Sequence, residues 1–256
     1  MTPRLAEEGQ LALMATQFLT RLPLPWAPDY TPERMGRAMR YFPLVGLGIG
    51  AALALVYSLA SLVFPPLVAA LITVALGVRL TGALHEDGLA DLADGLGGGA
   101  TRARVLEIMR DSRIGTYGVV TLALVLGLKV AALAHLDGAL AAATLVAAHG
   151  LSRLAALVLL LRLPYARPEG KAEFTQAGPG PGGLRLALAT GALGLVGLGL
   201  VAGPWPALTA GLAATAVFLW LERLLKRRLG GQTGDALGAV QQLTETAILL
   251  GVLAWV

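Results

Sequence analysis

Residues 41–78 read YFPLVGLGIGAALALVYSLASLVFPPLVAALITVALGV, and none of these 38 residues is charged. Residues 186–221 form a second run of 36 residues without Asp, Glu, Lys or Arg. A helix that crosses a bilayer needs about 20 apolar residues, so each run is long enough for two spans. Prolines interrupt both runs near their centres, at 65–66 and at 204–206. Each run therefore predicts two transmembrane helices joined by a short turn.

The composition of the whole chain agrees with a membrane protein. Hydrophobic residues make up 56% of the sequence and charged residues only 14%, whereas a soluble domain is about a quarter charged. We predict an all-α, polytopic membrane helix bundle that forms one integral membrane domain over residues 1–256. The sequence leaves open whether this chain forms a homo-oligomer. About seven transmembrane helices are expected, at residues 44–64, 67–84, 116–136, 138–161, 184–203, 206–222 and 236–256.

Basic residues alternate between the two ends of these helices. The connections around Pro65, Asp137 and Pro204 contain no Lys or Arg, and the remaining connections are rich in both. The positive-inside rule then predicts that the N-terminus and the basic connections are cytoplasmic. The net charge of +4 is explained by this topology, so we expect a lipid bilayer and no nucleic acid as partner. The expected location is the cytoplasmic (inner) membrane of a bacterium or archaeon.

Residues 85–95 read HEDGLADLADG and place three aspartates close together. At about 100° per residue, Asp87, Asp91 and Asp94 lie on one face of a helix. Three neighbouring carboxylates repel one another unless a cation lies among them. Oxygen ligands favour Mg²⁺, which often acts together with substrate phosphates. These residues therefore predict a magnesium site in an enzyme that acts on phosphate groups.

The segment after the aspartates completes a predicted cytoplasmic active-site loop at about 85–116. Glycines at 95–99 are followed by Arg102, Asp111 and Arg113. Flexible backbone and arginine forks after a metal site would suit a pyrophosphate. The alternative is an acidic helix face exposed to solvent, with surface ion pairs that contribute little stability.

Charged residues also occur inside the predicted spans. His149 and Arg153 are one helical turn apart in the fourth span. Because a charged group in the bilayer is costly, both are candidates for function. Arg79 and Lys129 lie nearer span ends, and we expect their side chains to extend to the membrane interface.

The last predicted span begins with a polar stripe that includes Asp235, Gln242 and Glu245. A stripe of this kind in a membrane helix is typical of a face that lines a polar cavity. Asp235 has a second interpretation, because an aspartate near a helix start can cap that helix and interact favourably with its dipole.

The chain resembles the cobalamin synthase family over nearly its whole length. The resemblance is specific because many short motifs occur in order. They are Phe18–Pro23, Tyr41–Gly46, Leu84–Gly97, Leu106–Gly118, Leu163-Pro164 with Ala166–Gly170, and Thr233–Gly238 followed by Leu243–Glu245. Glu86 departs from the family pattern, where an apolar residue is usual, which leaves open whether it binds metal or faces solvent.

The resemblance implies a Mg²⁺-dependent transferase at the cytoplasmic face of the membrane, acting in the last steps of cobalamin biosynthesis. Its substrates would be adenosylcobinamide-GDP and α-ribazole, or α-ribazole 5′-phosphate. The products would be adenosylcobalamin, or its 5′-phosphate, and GMP. Asp87, Asp91 and Asp94 would bind the metal, and Asp111 would add a ligand or act as general base. We expect the remaining site residues to contact substrate: His85, Arg102, Arg113, His149, Arg153, Asp235 and Glu245.

Three other functions fit parts of the sequence. A CDP-alcohol phosphotransferase of phospholipid synthesis also combines aspartates, Mg²⁺ and membrane helices, but its signature needs an Ala-Arg pair shortly after Asp-Gly. Here Asp87-Gly88 is followed by Leu89-Ala90-Asp91. A transporter would use His149, Arg153 and Glu245 as a relay at the membrane midplane. A membrane scaffold without catalysis would leave the aspartates without a purpose.

Overall fold

The structure is a computed structural model that describes residues 3–24, 29–167 and 178–256. In these residues the chain is almost entirely α-helical, with one isolated bridge between Tyr165 and Gln232. A short 3₁₀ turn, Met39–Tyr41, joins the second and third helices. The helices are α1 (Pro3–Leu19), α2 (Pro32–Ala38), α3 (Phe42–Ser61), α4 (Pro66–Thr81), α5 (Leu84–Gly98), α6 (Arg102–Ile108), α7 (Thr116–Ala134), α8 (Gly138–Arg162), α9 (Gly183–Ala202), α10 (Pro204–Arg228) and α11 (Gly234–Leu253).

The predicted all-α membrane bundle is confirmed. Within the described residues, six helical stretches are long and apolar enough to cross a membrane, formed by α2 and α3 with the 3₁₀ turn between them and by α7 to α11. α4 and α5 would add a seventh only if they were counted as one broken span, and they are bent by 90° from one another. The chain is therefore an integral membrane protein with six or seven spans.

The predicted second span, residues 67–84, is wrong as one continuous helix. α4 ends at Thr81 after 16 residues, which at 1.5 Å per residue is about 24 Å and shorter than a typical hydrocarbon core. Gly82 and Ala83 then take left-handed backbone angles, with φ of 66° and 56°. These two residues turn the chain into α5, so the acidic helix leaves the direction of the spans.

Residues 85–116 begin with the predicted acidic helix, but the flexible glycine connection expected after it is wrong, because most of this segment is helical. The glycines at 95, 97 and 98 belong to α5 instead of forming a flexible connection. They allow close packing: a Cβ at Gly95 would lie 2.5 Å from the Met109 side chain, and one at Gly97 would lie 2.5 Å from the Tyr117 ring. The glycine run therefore lets α6 and the start of α7 pack against α5.

The centre of the bundle is α8, which packs against α3, α9 and α11. Two glycines bring α3 unusually close to it. A Cβ at Gly46 would lie 2.2 Å from the carbonyl oxygen of His149, and a Cβ at Gly50 would lie 2.6 Å from that of Leu145. This close packing buries the polar residues of α8 inside the bundle.

The N-terminal helix α1 packs on the outside of this core. Its buried residues Leu11 and Met14 belong to the same apolar cluster as Met35 and Met39. Polar contacts add to this, because the Tyr41 hydroxyl donates to Glu8 at 2.6 Å. Helix α1 thus lies against the bundle through both apolar and polar contacts.

Candidate active site

The acidic helix α5 crosses the start of α11 at very short range. A Cβ at Gly88 would lie 2.8 Å from the carbonyl oxygen of Asp235, and a Cβ at Gly238 would lie 3.0 Å from that of His85. Glycine at both positions removes the side chains that would keep the helices apart. The crossing places Asp235 beside the aspartates of α5.

Asp87 and Asp91 lie one turn apart on α5, Asp87 exposed and Asp91 half-buried. Because α5 turns away from α4 and carries four acidic residues, we treat it as lying outside the spans. Burial, followed by the negative charges of Asp87, Asp235 and Asp94, raises the pKa of Asp91 from 3.8 to about 6. Part of this rise comes from the neighbouring carboxylates, and a cation bound among them would relieve that part.

Asp94 has a different environment, because its carboxylate caps α7. Its two oxygens accept the backbone N–H groups of Gly115, at 2.7 Å, and Gly118, at 2.8 Å. Gly115 is the N-cap residue just before α7, and it has no side chain that could cap the helix itself. The negative charge also meets the positive end of the helix dipole. Metal binding by Asp94 stays a prediction, whereas its capping contact is visible in the structure.

The donor set suits Mg²⁺ if substrate completes it. Among the described residues, no group of three or more His, Asp or Glu side chains is placed to hold a metal by itself. Mg²⁺, however, usually binds through one or two carboxylates together with water and substrate phosphates. Asp87 and Asp91 supply two carboxylates, and Asp235 and Asp94 add further negative charge near them. The residues therefore fit a metal that is shared with a phosphate-bearing substrate and do not fit a closed three-aspartate cage.

Arg167 is the basic residue beside this acidic crossing, and the sequence did not single it out. Its guanidinium donates to Asp235 Oδ2 at 2.7 Å, and its buried Nε has no hydrogen-bond partner among the residues that the structure describes. Backbone pairing fixes it in place, because the N–H of Ala166 donates to Gln232 and the N–H of Gln232 donates to Pro164, both at 2.8 Å. An arginine that follows a span is explained by membrane topology alone, so only the contact with Asp235 marks it out. The neighbouring Pro168–Gly170 of the resembling motif lie outside the described residues.

The interpretation of Asp235 as the cap of the last helix is wrong. Thr233 caps α11, and its hydroxyl accepts the backbone N–H of Ala236 at 3.2 Å. The Asp235 side chain is instead paired with Arg167. Its carboxylate therefore lies at the crossing between α5 and α11, where its charge acts on Asp91.

The predicted residues of α6 and its flanks lie around a separate open groove of about 350 Å³, lined by Asp94, Asp111, Arg113 and Tyr117 among others. Asp111 and Arg113 are paired with each other at 2.7 Å. The hydrogen bonds from Arg113 lower the pKa of Asp111 to about 2, far from the near-neutral value that suits a general base. Arg102 does not line this groove. Its guanidinium instead donates to the carbonyl oxygen of Ala166 at 2.8 Å.

The predicted residues inside the membrane do come together, in one buried cluster around Glu245. The carboxylate of Glu245 is 3% exposed. It contacts Arg153, accepts from Lys129 at 2.6 Å and from Ser152 at 3.1 Å, and lies 3.1 Å from His149 Nδ1. The expectation that Lys129 extends to the membrane interface is wrong, because a buried carboxylate balances its charge inside the bundle.

Glu86 neither faces solvent nor joins the other carboxylates of α5. It is buried, and its Oε1 accepts from the amide of Gln242 at 2.9 Å. Within the described part of the chain, its second oxygen and two nitrogens of Arg153 have no hydrogen-bond partner, and both residues line a cavity of about 40 Å³. A cavity of this size has room for a few water molecules. His85 is buried on the same side of α5, and its Nδ1 has no partner in the described ranges either.

The structure therefore divides the predicted residues among three places, with Arg102 apart from them. The crossing of α5 and α11 holds Asp87, Asp91 and Asp235, and the α6 groove holds Asp111 and Arg113 beside the capping Asp94. Arg102 ties α6 to the segment before Arg167. The bundle interior holds the rest, namely His85, His149, Arg153 and Glu245.

Comparisons with known proteins bear on what this arrangement does. The sequence matches the family model described as cobalamin-5-phosphate synthase over residues 11–253. A protein of Leptothrix cholodnii named adenosylcobinamide-GDP ribazoletransferase is 46% identical over 98% of both chains. Proteins with the same name from Ralstonia nicotianae and Vibrio cholerae are each 43% identical, covering 100% and 96% of this chain and 99% and 94% of their own. No solved structure matches the chain. The matches extend over almost every described helix and confirm the resemblance: the chain belongs to the cobalamin-5-phosphate synthase family.

Proposed function

We propose that this protein is an adenosylcobinamide-GDP ribazoletransferase, the activity after which its relatives are named. It would join adenosylcobinamide-GDP to α-ribazole, or to α-ribazole 5′-phosphate, and release GMP. The observation that carries the proposal is the near full-length identity to these relatives. The crossing of α5 and α11 supports it, since carboxylates and an arginine meet there beside exposed surface.

Asp87 and Asp91 are the residues that would hold Mg²⁺, with Asp235 close by. When bound, the ion would neutralise negative charge on the diphosphate of adenosylcobinamide-GDP, which is the main requirement of phosphoryl transfer. The pKa of about 6 for Asp91 leaves this carboxylate mostly ionised at neutral pH and ready to accept a cation.

The proposed transfer is a displacement at phosphorus. The ribazole hydroxyl attacks the phosphorus that bears cobinamide, a new P–O bond forms, and the bond to the GMP oxygen breaks. GMP leaves with the electron pair of that bond, and the proton of the hydroxyl passes to a carboxylate or to water. We assign Arg167 to the phosphate oxygens, because its Nη2 already lies at the acidic crossing and no described residue accepts from its Nε. Arginine forks suit phosphate geometry.

The site would face the cytoplasm. Arg102, Arg104, Arg167 and Arg228 belong to the end of the bundle that carries α5 and α6, and the positive-inside rule places such an end in the cytoplasm. In a bacterium or archaeon the membrane would be the inner, cytoplasmic one. The family membership gives no support to a CDP-alcohol phosphotransferase.

The proposal is tested with purified protein in lipid nanodiscs supplied with adenosylcobinamide-GDP, Mg²⁺ and either acceptor. Mass spectrometry should detect GMP together with adenosylcobalamin or its 5′-phosphate. EDTA and the variant Asp87→Asn should each abolish both products, while Glu107→Gln, a change in an exposed carboxylate of α6, should not. Absence of product from folded wild-type protein with both acceptors would refute the proposal.

A further inference from the structure

One buried amide joins the acidic helix to the ion cluster inside the bundle. Gln242 of α11 accepts from the ammonium of Lys129 on its Oε1, at 2.5 Å, and donates from its Nε2 to Glu86, at 2.9 Å. An amide side chain has one oxygen that accepts and one nitrogen that donates. Because an ammonium group can only donate, Lys129 fixes the oxygen on its own side and leaves the NH₂ group to face Glu86.

All three members of this link line the cavity of about 40 Å³ but are shielded from bulk solvent. Glu86, Gln242 and Lys129 are 8%, 2% and 6% exposed, so a broken bond would not be replaced freely by solvent. Lys129 is held in turn by Glu245, which contacts Arg153. The link therefore has a firm anchor at its far end, and its near end is the residue immediately before Asp87.

The glycine crossing and the amide link constrain α5 in different ways. Gly88 and Gly238 set the distance between α5 and α11. Contact at glycine alone still allows α5 to slide along α11 or to rotate about its own axis. A hydrogen bond is directional and loses strength when its angle changes. The bond from Gln242 to Glu86 therefore resists rotation of α5 about its own axis, which would move Asp87 and Asp91 away from Asp235 and Arg167.

We propose that Gln242 is a positioning residue whose amide, oriented by Lys129, fixes the rotation of α5 and thereby the direction of Asp87 and Asp91. Its effect on catalysis rests on the function proposed above, and its effect on α5 does not. Gln242 touches none of the reacting groups, so it acts through Glu86 and the backbone of α5.

Exchanging the two partners tests the link directly. Gln242→Glu puts two carboxylates face to face, so α5 should rotate. We expect a roughly tenfold to hundredfold fall in kcat, the cost typical of a small misplacement, and a higher Mg²⁺ concentration for half-maximal rate. Adding Glu86→Gln to Gln242→Glu recreates one amide and one carboxylate with the same total charge. The double variant should recover at least most of the lost rate and the wild-type Mg²⁺ dependence.

Gln241→Leu is the matched control. Gln241 is also a buried amide of α11, but it donates to Glu245 within its own helix. Its loss should lower the unfolding temperature and leave the Mg²⁺ concentration for half-maximal rate unchanged. If Gln241→Leu shifted the Mg²⁺ dependence as much as Gln242→Glu, the effect would belong to general loss of packing and the proposal would fail.

Hydrogen–deuterium exchange gives a readout that does not need the reaction. Amides of α5 should exchange faster in Gln242→Glu than in the wild type, and the double variant should restore their protection. This pattern with an inactive wild type would refute the proposed function and keep the link. Equal α5 exchange in all three proteins, or a double variant no better than Gln242→Glu, would overturn the link itself.

Discussion

Removing the carboxylate of Asp94 should destabilise the start of α7. In Asp94→Ala the backbone N–H groups of Gly115 and Gly118 both lose their acceptor, and Asp94 is 8% exposed. A hydrogen bond to a charged group contributes about 1.5–3 kcal/mol. Because the groove beside Asp94 is open, water should replace part of this, so we expect a loss of about 3 kcal/mol for the two bonds together.

For a chain of this size, about 3 kcal/mol corresponds to a decrease of roughly 6–12 °C in Tm. Thermal unfolding in nanodiscs, followed by circular dichroism without added Mg²⁺, measures it. Asp87→Ala is the control, since Asp87 is exposed on the same helix and should change stability by less than about 0.5 kcal/mol. Asp94→Asn keeps one acceptor oxygen and should fall between the two.

The opposite pattern would refute the capping role. If Asp94→Ala unfolded at the wild-type temperature while its Mg²⁺ dependence was lost, Asp94 would act chiefly as a metal ligand. The three-aspartate site expected from the i, i+4, i+7 spacing would then be correct.

Three further outcomes follow from the site and the packing. Mn²⁺ affinity measured by electron paramagnetic resonance should fall as the pH drops below about 6, because protons then compete at Asp91. Asp91→Asn should weaken Mn²⁺ binding and remove this pH dependence. If the pH dependence of Mn²⁺ affinity were the same in the variant and the wild type, Asp91 would be excluded as a ligand. Gly88→Ala should lower the free energy of unfolding by about 1–3 kcal/mol, since the new Cβ meets the α11 backbone. Gly48→Ala, whose new Cβ has no neighbour within 4 Å, should be tolerated. Equal Tm values for these two variants would contradict the close crossing. Lys129→Met should lower the free energy of unfolding by about 3–5 kcal/mol, because it leaves Glu245 with one buried partner fewer. Arg113→Ala, at the exposed ion pair, should leave Tm unchanged. A similar change in stability for the two variants would argue against the buried cluster.

The membrane architecture could be predicted from the sequence because hydropathy over about 20 residues is a strong signal. The bend after Thr81 could not, because it depends on left-handed angles at Gly82 and at Ala83, and alanine gives no sign of such a conformation. The glycines of α5 predict a flexible segment for a similar reason. Local sequence does not reveal that Met109 and Tyr117 fill the space beside them.

The sequence predicts which residues take part in the candidate site better than it predicts which of them lie together. The spacing of Asp87 and Asp91 correctly put them on one helix face, but the same spacing could not show that Asp94 lies at the start of another helix. Lys129 was misread because a lysine near a span end usually reaches the interface. Its buried partner Glu245 lies 116 residues away in sequence, and Arg167 likewise depends on a contact with Asp235, 68 residues away.

The most direct test of the account is metal binding at the crossing of α5 and α11. Electron paramagnetic resonance of Mn²⁺ would be recorded with purified protein in nanodiscs, with and without adenosylcobinamide-GDP. We predict weak Mn²⁺ binding by the protein alone, much tighter binding with the substrate, and loss of that tightening in Asp87→Asn. Mn²⁺ binding that is indifferent to the substrate and to Asp87→Asn would contradict the claim that these carboxylates share a metal with the substrate diphosphate.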